Sequence, residues 1–386
     1  MQKIISSLSY IIAAILIISS AFIGGFLTSE LLTRDDEQYQ ILNQSVSILQ
    51  NHALDEIPPA PALEYGMIRG MLKAYGDPHT TFVEPIQHEL ESNRLAGNFG
   101  GIGVKVAYHD EGIIILFPYP DSPAHLAGIQ DGDRLLMVDG FKIENHTPLD
   151  EVKAAIRGPE GEIVKITTSR DQDLTPIGYE IIRESIPIPS VTWHLQPQEP
   201  HVGIIEINII SANTPNEIKD AVEDLQSRGA THFVMDLRRN SGGLLSAGID
   251  TARLFIKKGV ILKELTRYQD EETFSASSDG PLIDIPLVVL VNHGTASAAE
   301  IIAGVLQARE RALIIGEPTY GKDSIQLVFN LEDGSSIHIT SARWWIPSLE
   351  PPIKDHGIQP DIMIDNDNTG PDPAVESAIE FFLGQE

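Results

Sequence analysis

The sequence contains no cysteine, and this absence excludes several kinds of chemistry. Disulfide bonds, thiol catalysis and cysteine-ligated zinc all require that residue. Histidine occurs 12 times, but no H-E-x-x-H motif is present and no two histidines are spaced as a metal pair on one helix. The sequence therefore predicts a protein without a metal ion or a cofactor.

Positive charge is scarce as well. Lysine and arginine together number 27, against 55 aspartates and glutamates, which gives a formal net charge of −28. A surface this acidic repels phosphate backbones, so nucleic acid is not an expected partner. A hydrophobic content of 42% is ordinary for a globular protein, and 386 residues suffice for two or three domains with a substantial core.

Charge is missing entirely from Tyr10 to Leu27, an apolar run close to the length that spans a bilayer. Because Lys3 precedes this run, we expect the amino end to stay in the cytoplasm and the rest to be exported. Ser19-Ser20-Ala21 offers a signal-peptidase site, but apolar residues continue past it, which suits an uncleaved anchor better. The predicted location is extracytoplasmic, with the protein either anchored by this helix or secreted after cleavage.

The stretch from Pro286 to Gln326 carries the strongest indication of chemistry. A buried strand leads into a turn at Gly294, and Ser297 stands where a helix begins. A second apolar strand then ends in GEPTYGK, which presents Lys322. A serine hydroxyl can be activated by an unprotonated lysine in place of histidine. We therefore predict Ser297 as a nucleophile and Lys322 as its general base.

Both residues have simpler interpretations. Ser297-Ala-Ala-Glu300 is also an S-x-x-E capping box, in which the serine only closes the start of the helix. Gly316 to Lys322 matches seven of the eight positions of the phosphate-binding loop, which would indicate a P-loop nucleoside triphosphatase. However, Asp323 stands where that loop has a magnesium-binding hydroxyl, and the residues after it alternate like a strand. This pattern disfavours nucleotide binding.

A resemblance to a known family favours the catalytic interpretation. GTASAAEIIAG followed by RALIIGEPTYGKDSIQ resembles the carboxy-terminal processing proteases, also called tail-specific proteases, and the likeness extends from about Asp77 to Ile364. Those enzymes use a Ser–Lys pair, and many add a glutamine four residues after the lysine. The resemblance therefore implies catalytic roles for Ser297, Lys322 and Gln326.

A glycine-rich turn, RRNSGGLL, follows the predicted strand HFVMDL and opens another helix. Backbone N–H groups at such a helix start can stabilise negative charge. In the proteases that this chain resembles, the second glycine and the residue after the serine donate to the oxyanion, which implies Gly243 and Ala298 here. Close packing of strand and helix is the alternative role of Gly242-Gly243, and the two roles are compatible.

Residues from Phe99 to Glu184 resemble a PDZ domain. GGIGVKV has the form of its carboxylate-binding loop, where successive backbone N–H groups form a nest for an anion, and the strand that follows can accept an added peptide strand. The resemblance implies a groove for protein C-termini, although core packing alone would also explain its apolar residues. The predicted groove residues are Gly101, Ile102, Gly103, Val104, Leu149, Val152, Ile156 and Arg157.

Two further positions have competing interpretations. Arg157 ends a predicted helix, where a cation is a favourable partner for the helix dipole. Our functional hypothesis is that Arg157 reports a filled groove to the catalytic domain. Asp77-Pro78-His79 contains groups used in catalysis elsewhere, but we interpret it as a turn that fixes the end of a helix.

Base catalysis makes an electrostatic demand on the lysine. The pKa of Lys322 must fall well below that of an ordinary lysine for the amine to accept a proton near neutral pH. Burial can lower it, whereas negative neighbours raise it. We therefore predict that Glu300 and Asp323 both point away from the amine, and that the uncharged Gln326 orients it.

Together these patterns predict an α/β multidomain protein. It has a membrane segment over 1–34, a helical region over 35–95, a β-rich PDZ domain over 96–186, and an α/β protease core over 187–386 with a β-sheet flanked by helices. The predicted function is a serine endopeptidase that processes or degrades exported proteins selected by their C-terminal tails. The resemblance also implies self-association through the helical region, so a homo-oligomer is expected. The alternative function is an inactive, membrane-tethered PDZ adaptor that binds C-termini without cleaving them.

Overall fold

The computed structural model describes residues 39–170, 175–267, 270–354, 356–364 and 372–384. The predicted membrane segment lies outside the described residues. Within those ranges, none of the helices combines the length and the apolar character that crossing a bilayer requires. The chain divides into two units, Met1–Ile68 and Arg69–Glu386, which are taken separately below.

The first unit contains helix α1 and the start of helix α2. Helix α1 spans Gln40–His52, and α2 spans Ala60–Tyr75, so α2 ends in the second unit. Pro58 and Pro59 lie between the two helices, and Pro61 stands at the second position of α2, where its missing N–H costs no hydrogen bond. All residues of α1 are exposed or half-buried, and Ile41 is 80% exposed.

The second unit continues with strand β1 (Thr81–Val83) and helix α3 (Pro85–Ala96). Proline stands at the first helical position of α3, where its missing N–H costs no hydrogen bond. Gly97 ends the helix with a φ of 77°, a left-handed conformation that glycine adopts without strain.

A β-rich module follows α3. Its elements are β2 (Asn98–Gly101), β3 (Val104–Tyr108), β4 (Ile114–Pro118), α4 (Pro123–Leu126), β5 (Asp133–Val138), β6 (Phe141–Lys142), α5 (Leu149–Ile156), β7 (Ile163–Ser169), β8 (Ile177–Ile182) and β9 (Glu184–Pro187). One sheet has the order β3-β4-β5-β7-β8, with β6 beside β5, and encloses an apolar core. The strands β2 and β9 pair antiparallel, so the chain reaches and leaves the module through one two-stranded ribbon.

The rest of the chain forms the α/β part of the second unit. Its elements are β10 (Val191–Leu195), β11 (Val202–Ile207), α6 (Thr214–Ser227), β12 (His232–Asp236), α7 (Leu245–Phe255), β13 (Gly259–Thr266), β14 (Glu272–Ala276), β15 (Leu287–Val291), α8 (Ala298–Ala308), β16 (Leu313–Gly316), β17 (Ser324–Asn330), β18 (Ser336–Trp345), β19 (Ile362–Met363) and α9 (Pro373–Leu383).

A six-stranded sheet of order β10-β11-β12-β15-β16-β19 forms the centre of this part. Only the β10–β11 pair is antiparallel, and the other pairs are parallel. All five residues of β15 are buried, because helices cover both faces of the sheet. Helices α6, α7 and α8 contribute to the core on one face, and α9 contributes to the core on the other.

A smaller sheet of order β1-β18-β13-β14, with β17 paired to β18, lies beside the central one. The antiparallel hairpin of β17 and β18 turns at Gly334, whose φ is 84°, where the sequence Glu332-Asp333-Gly334 indicates a hairpin. Trp344 in β18 is 2% exposed and packs in the core. The hairpin begins two residues after Lys322 and so fixes where the lysine loop ends.

Candidate active site

The carboxyl ends of three neighbouring strands are followed by the predicted catalytic residues. Strands β12, β15 and β16 are parallel neighbours, so their carboxyl ends reach the same edge of the sheet. The Gly242-Gly243 turn follows β12, Ser297 follows β15, and Lys322 follows β16. Open α/β sheets bind ligands at this edge. The topology therefore collects residues that are far apart in the chain.

Ser297 has a strained backbone immediately before α8. Its φ of 55° and ψ of −122° are conformations that a residue with a side chain rarely adopts. The turn is held from behind: Thr295 Oγ1 donates to the carbonyl of Leu237 at 2.8 Å, and the Ala296 N–H donates to the carbonyl of Asn240 at 2.9 Å. A serine in such a strand–turn–helix junction presents its hydroxyl at the top of the sheet.

Glu300 is fully buried and connects the serine turn to the lysine loop. Its Oε2 accepts from the N–H groups of Ser297 at 2.8 Å and Lys322 at 3.0 Å. Its Oε1 accepts from the Gly321 N–H at 2.7 Å and from the Thr319 hydroxyl at 2.5 Å. Burial raises the pKa of this carboxyl, and the four donors oppose that rise. Glu300 therefore holds the lysine loop against the serine turn in addition to capping α8.

Lys322 is half-buried, and its amine donates to Oε1 of Gln326 at 2.6 Å. Gln326 Nε2 in turn donates to the carbonyl of His79, in the turn before β1. In the part of the chain that the structure describes, no hydrogen bond joins the amine to Ser297 Oγ. Ser297 and Glu300 form the capping box that the S-x-x-E pattern indicates. The predicted nucleophile and base thus share a site but are not hydrogen-bonded to each other in this arrangement.

The charges around Lys322 act in opposite directions. Burial lowers the pKa of its amine below that of an ordinary lysine, and the charges of Glu300 and Asp77 oppose this shift. Asp323 accepts from Arg343 at 2.8 Å, so its charge is paired. Glu300 bonds to backbone N–H groups and a threonine hydroxyl, yet it still acts on the amine through its charge.

The glycine turn after β12 lies directly against the serine. A Cβ added to Gly242 would lie 2.9 Å from Ser297 Cβ and 3.1 Å from the backbone nitrogen of Ala298. Gly243 has a φ of 152°, and a Cβ there would lie 2.1 Å from the carbonyl oxygen of Ile210, so only glycine fits. Within the described residues, neither Gly243 nor Ala298 donates its N–H to a protein acceptor. Both groups are available to a ligand.

The β-rich module contains a cavity of about 870 Å³ bordered by β3, the end of α5 and β9. The predicted groove residues that line it are Ile102, Gly103, Val104, Ile156 and Arg157. The other three lie elsewhere. Val152 has no exposed surface, Leu149 packs against the module's core, and the space beside Gly101 is filled by the ring of Phe99.

Arg157 lies where this cavity meets the ribbon of β2 and β9. It follows directly after α5, and its guanidinium lies over the ring of Phe99, 4.4 Å from the centroid. Phe99 belongs to β2, and the neighbouring Gly100 carbonyl accepts from the N–H of Gly158 at 3.2 Å. Arg157 is thus in contact with the connection between the module and the core.

Two contacts of this site have no counterpart in the sequence analysis. One is the bond from Gln326 to His79, which joins residues 247 positions apart. The other is the bond from Glu300 to the lysine loop, 21 and 22 positions away. The S-x-x-E pattern predicts the contact of Glu300 with Ser297, but no local pattern predicts its contacts with Gly321 and Lys322.

Two parts of this chain match models of known protein families. Residues 201–364 match the family model described as peptidase family S41, and residues 115–170 match the model of the PDZ domain. A solved structure of a photosystem II D1 C-terminal processing protease is 28% identical, with a TM-score of 0.47, and covers 88% of this chain and 90% of that chain. The two family models show that the chain combines a PDZ domain with a domain of peptidase family S41.

Curated relatives are more similar in sequence. The carboxyl-terminal-processing protease of Picosynechococcus sp. is 37% identical over 309 residues, which is 79% of this chain and 74% of that protein. The carboxy-terminal processing protease CtpA of Bacillus subtilis is 33% identical over 77% of this chain and 63% of its own length. The chain belongs to the carboxyl-terminal-processing proteases of peptidase family S41 and is a serine-type endopeptidase. The predicted PDZ domain and α/β protease core are confirmed.

Proposed function

We propose that five groups perform the catalysis of this endopeptidase: Ser297 as nucleophile, Lys322 as general base, Gln326 as the residue that orients the base, and the N–H groups of Gly243 and Ala298 as oxyanion donors. The observation that carries the proposal is the double contact of Glu300. One oxygen, Oε2, accepts from the N–H groups of both the nucleophile and the base. The distance between the backbone nitrogens of Ser297 and Lys322 must therefore be shorter than the summed lengths of those two hydrogen bonds.

The proposed reaction begins when Lys322 Nζ takes the proton of Ser297 Oγ as Oγ attacks the carbonyl carbon of the scissile peptide. The electron pair of the carbonyl bond moves to its oxygen, which the two N–H donors stabilise. Lys322 then gives its proton to the leaving nitrogen as the C–N bond breaks. The resulting ester is hydrolysed by water, whose proton Lys322 accepts and returns to Ser297 Oγ.

This sequence of steps is compatible with the hydrogen bond of the lysine to Gln326. A neutral amine has two N–H groups and one lone pair, and Gln326 Oε1 uses one N–H group. The lone pair is then available for the proton of Ser297. Because no hydrogen bond joins Nζ and Oγ in this arrangement, a rotation of the lysine or the serine side chain must bring the two atoms together before reaction.

We also propose that the cavity of the PDZ domain binds the C-terminal tails of substrates. Its lining combines the buried Ile102 and Ile156 with the backbone of Gly103, whose φ is 65°. Apolar side chains and successive N–H groups suit a tail residue and its terminal carboxylate. The extracytoplasmic location, the attachment to a membrane and the homo-oligomer remain predictions from the sequence.

The test of the proposed function compares the purified chain with its Ser297→Ala variant. A globular substrate carrying an apolar C-terminal tail, and the same substrate without the tail, are incubated with each and followed by mass spectrometry. We expect cleavage of the tailed substrate by the wild type and a loss of at least about 10⁴-fold in the variant. Equal cleavage by both would refute the role of Ser297. Tail binding without any cleavage would instead support the adaptor alternative.

Arg157→Ala tests communication between groove and core. Because the guanidinium contacts both the cavity and Phe99, we expect kcat on a tailed substrate to fall about tenfold while the Kd for a tail peptide stays within about twofold. Fluorescence anisotropy measures the Kd. Arg134→Ala is the matched control, since Arg134 bonds to Asn145 away from the cavity. Unchanged kcat in Arg157→Ala would remove the reporter role.

A further inference from the structure

The turn between α2 and β1 is built around Asp77. Its Oδ1 accepts from the N–H of His79 at 3.3 Å, and its Oδ2 accepts from the hydroxyl of Thr80 at 2.5 Å. Thr80 is itself buried, at 7% exposure. An aspartate that bonds to the backbone two residues ahead forms an Asx turn, which fixes the direction of the chain. Asp77 therefore holds the carbonyl of His79 in one orientation.

This turn is attached to the hairpin that contains Gln326. The N–H of Thr340, in β18, donates to Thr80 Oγ1 at 3.2 Å. Thr340 is also the residue opposite Gln326 in the pairing of β17 with β18. Beyond the turn, β1 pairs with β18 through Thr81 and His338. The turn cannot shift relative to Gln326 without breaking these contacts.

The carbonyl of His79 determines which way the amide of Gln326 points. A carbonyl oxygen only accepts hydrogen bonds, so it must face the NH₂ end of the amide, as observed. The other end, Oε1, is then left facing Lys322 Nζ at 2.6 Å. A reversed amide would direct its own N–H groups at the amine and would offer it no acceptor. The orientation of the base thus depends on the turn.

Asp77 also brings charge to this place. Three ionisable side chains on separate elements interact electrostatically with Lys322: Glu300 on α8, Asp77 in the turn, and His338 on β18. Burial opposes ionisation of Asp77, but hydrogen bonds from Thr80 and His79 keep its pKa below the ordinary value. Burial lowers the pKa of His338, which favours its neutral form. Asp77 is therefore negative at neutral pH, and its charge favours the protonated lysine.

We propose that the Asp77–Thr80 turn is a positioning element of the general base, which orients Gln326 and, through the charge of Asp77, sets the pH range in which Lys322 is active. The proposal rests on the proposed function, because it requires Lys322 to be the base. The turn acts through Gln326 and Lys322. A turn that merely stabilised the fold would affect the amount of active enzyme but not the pH dependence of catalysis.

The test measures kcat and KM between pH 6 and pH 10 for the full chain and four variants. Asp77→Asn removes the charge and keeps the shape of the turn, so it lowers the pH at which the lysine becomes neutral. At each pH, kcat/KM of the variant is divided by kcat/KM of the wild type. We expect this quotient to be about three to ten times larger at pH 7 than at pH 9, because more of the variant's lysine is neutral at pH 7. A ratio that is the same at every pH would overturn the electrostatic part of the proposal.

Thr80→Val and Thr80→Ser separate positioning from charge. Thr80→Val removes the hydroxyl that joins Asp77 to Thr340, so we expect kcat to fall about tenfold at every pH with KM unchanged. Thr80→Ser keeps the hydroxyl and should restore kcat. Circular dichroism and the concentration of active sites, titrated with a serine-reactive phosphonate, correct for misfolded protein. Wild-type kcat per active site in Thr80→Val would overturn the positioning role.

Lys322→Ala, measured under the same conditions, distinguishes this proposal from the one on which it rests. If Lys322→Ala stays active, the proposed base is wrong and the turn has nothing to position. If Lys322→Ala is inactive while the Asp77 and Thr80 variants behave like the wild type, only the inference about the turn fails.

Discussion

Replacing Lys322 with alanine is expected to lower kcat/KM by at least about 10⁴-fold and to leave the melting temperature within a few degrees of the wild type. Lys322 is half-buried, and burial lowers the pKa of its amine. The activity of the wild type should rise with pH as this amine loses its proton, and the rise should begin at a lower pH than it would for a lysine with an ordinary pKa. Below that range the amine is protonated and cannot accept the serine proton. The variant has no group to take its place. A pH series of kcat/KM and a thermal melt provide the two measurements.

Lys322→Arg is the matched control for this loss. It keeps the positive charge and the long side chain, but a guanidinium does not lose its proton in the accessible pH range. We expect Lys322→Arg to be as inactive as Lys322→Ala. Substantial activity in the arginine variant would show that residue 322 supplies charge rather than base catalysis, and the assignment of a Ser–Lys mechanism would have to be withdrawn.

The second large effect is expected at Glu300. In Glu300→Gln one carboxylate oxygen becomes an NH₂ group, which cannot accept hydrogen bonds. Whichever oxygen is replaced, at least one backbone N–H group loses its buried acceptor, because Oε2 serves Ser297 and Lys322 and Oε1 serves Gly321. We expect the free energy of unfolding to fall by about 2–4 kcal/mol and kcat by about 100-fold. Denaturant unfolding and steady-state kinetics measure the two quantities.

Glu376→Gln is the control for removing a carboxylate from α9, which covers the face of the central sheet opposite to α8. It should change neither quantity by more than about 0.5 kcal/mol or twofold. Wild-type kcat in Glu300→Gln would contradict the idea that this side chain holds the nucleophile and the base at one place. If Glu300→Gln lowers the free energy of unfolding but not kcat per folded molecule, then Glu300 stabilises the fold and has no role in catalysis.

The sequence allowed those parts of the site to be predicted that depend on short stretches. The strand before Ser297 and the helix after it follow from a buried apolar run and an apolar face at helical spacing, and the structure has both, as β15 and α8. The role of Gln326 came from the resemblance to a family, which also favoured the catalytic roles of Ser297 and Lys322 over their simpler interpretations. Spacing alone also permitted a helix cap at the serine and a phosphate loop at the lysine.

Contacts between distant parts of the chain could not be predicted in this way. The pairing of β1 with β18 places the His79 turn beside Gln326, and only the folded sheet determines that pairing. The groove shows the same limit at smaller scale. Val152 and Ile156 share one apolar helix face, but Val152 is completely buried and Ile156 lines the cavity. Apolar spacing predicts the inward face of α5 without indicating where the core ends and the groove begins.

The antiparallel pairing of β2 with β9 has a consequence for how such enzymes can diversify. Asn98 lies opposite Pro187, so the two points where the PDZ domain joins the core are neighbours in space although they are far apart in the chain. A domain whose two connections are adjacent can be replaced as a unit while the core keeps its fold. A peptide-binding domain of different specificity can be inserted at the same two positions without changing the strands that carry the candidate active-site residues. Recombination can therefore produce enzymes with new substrate specificities.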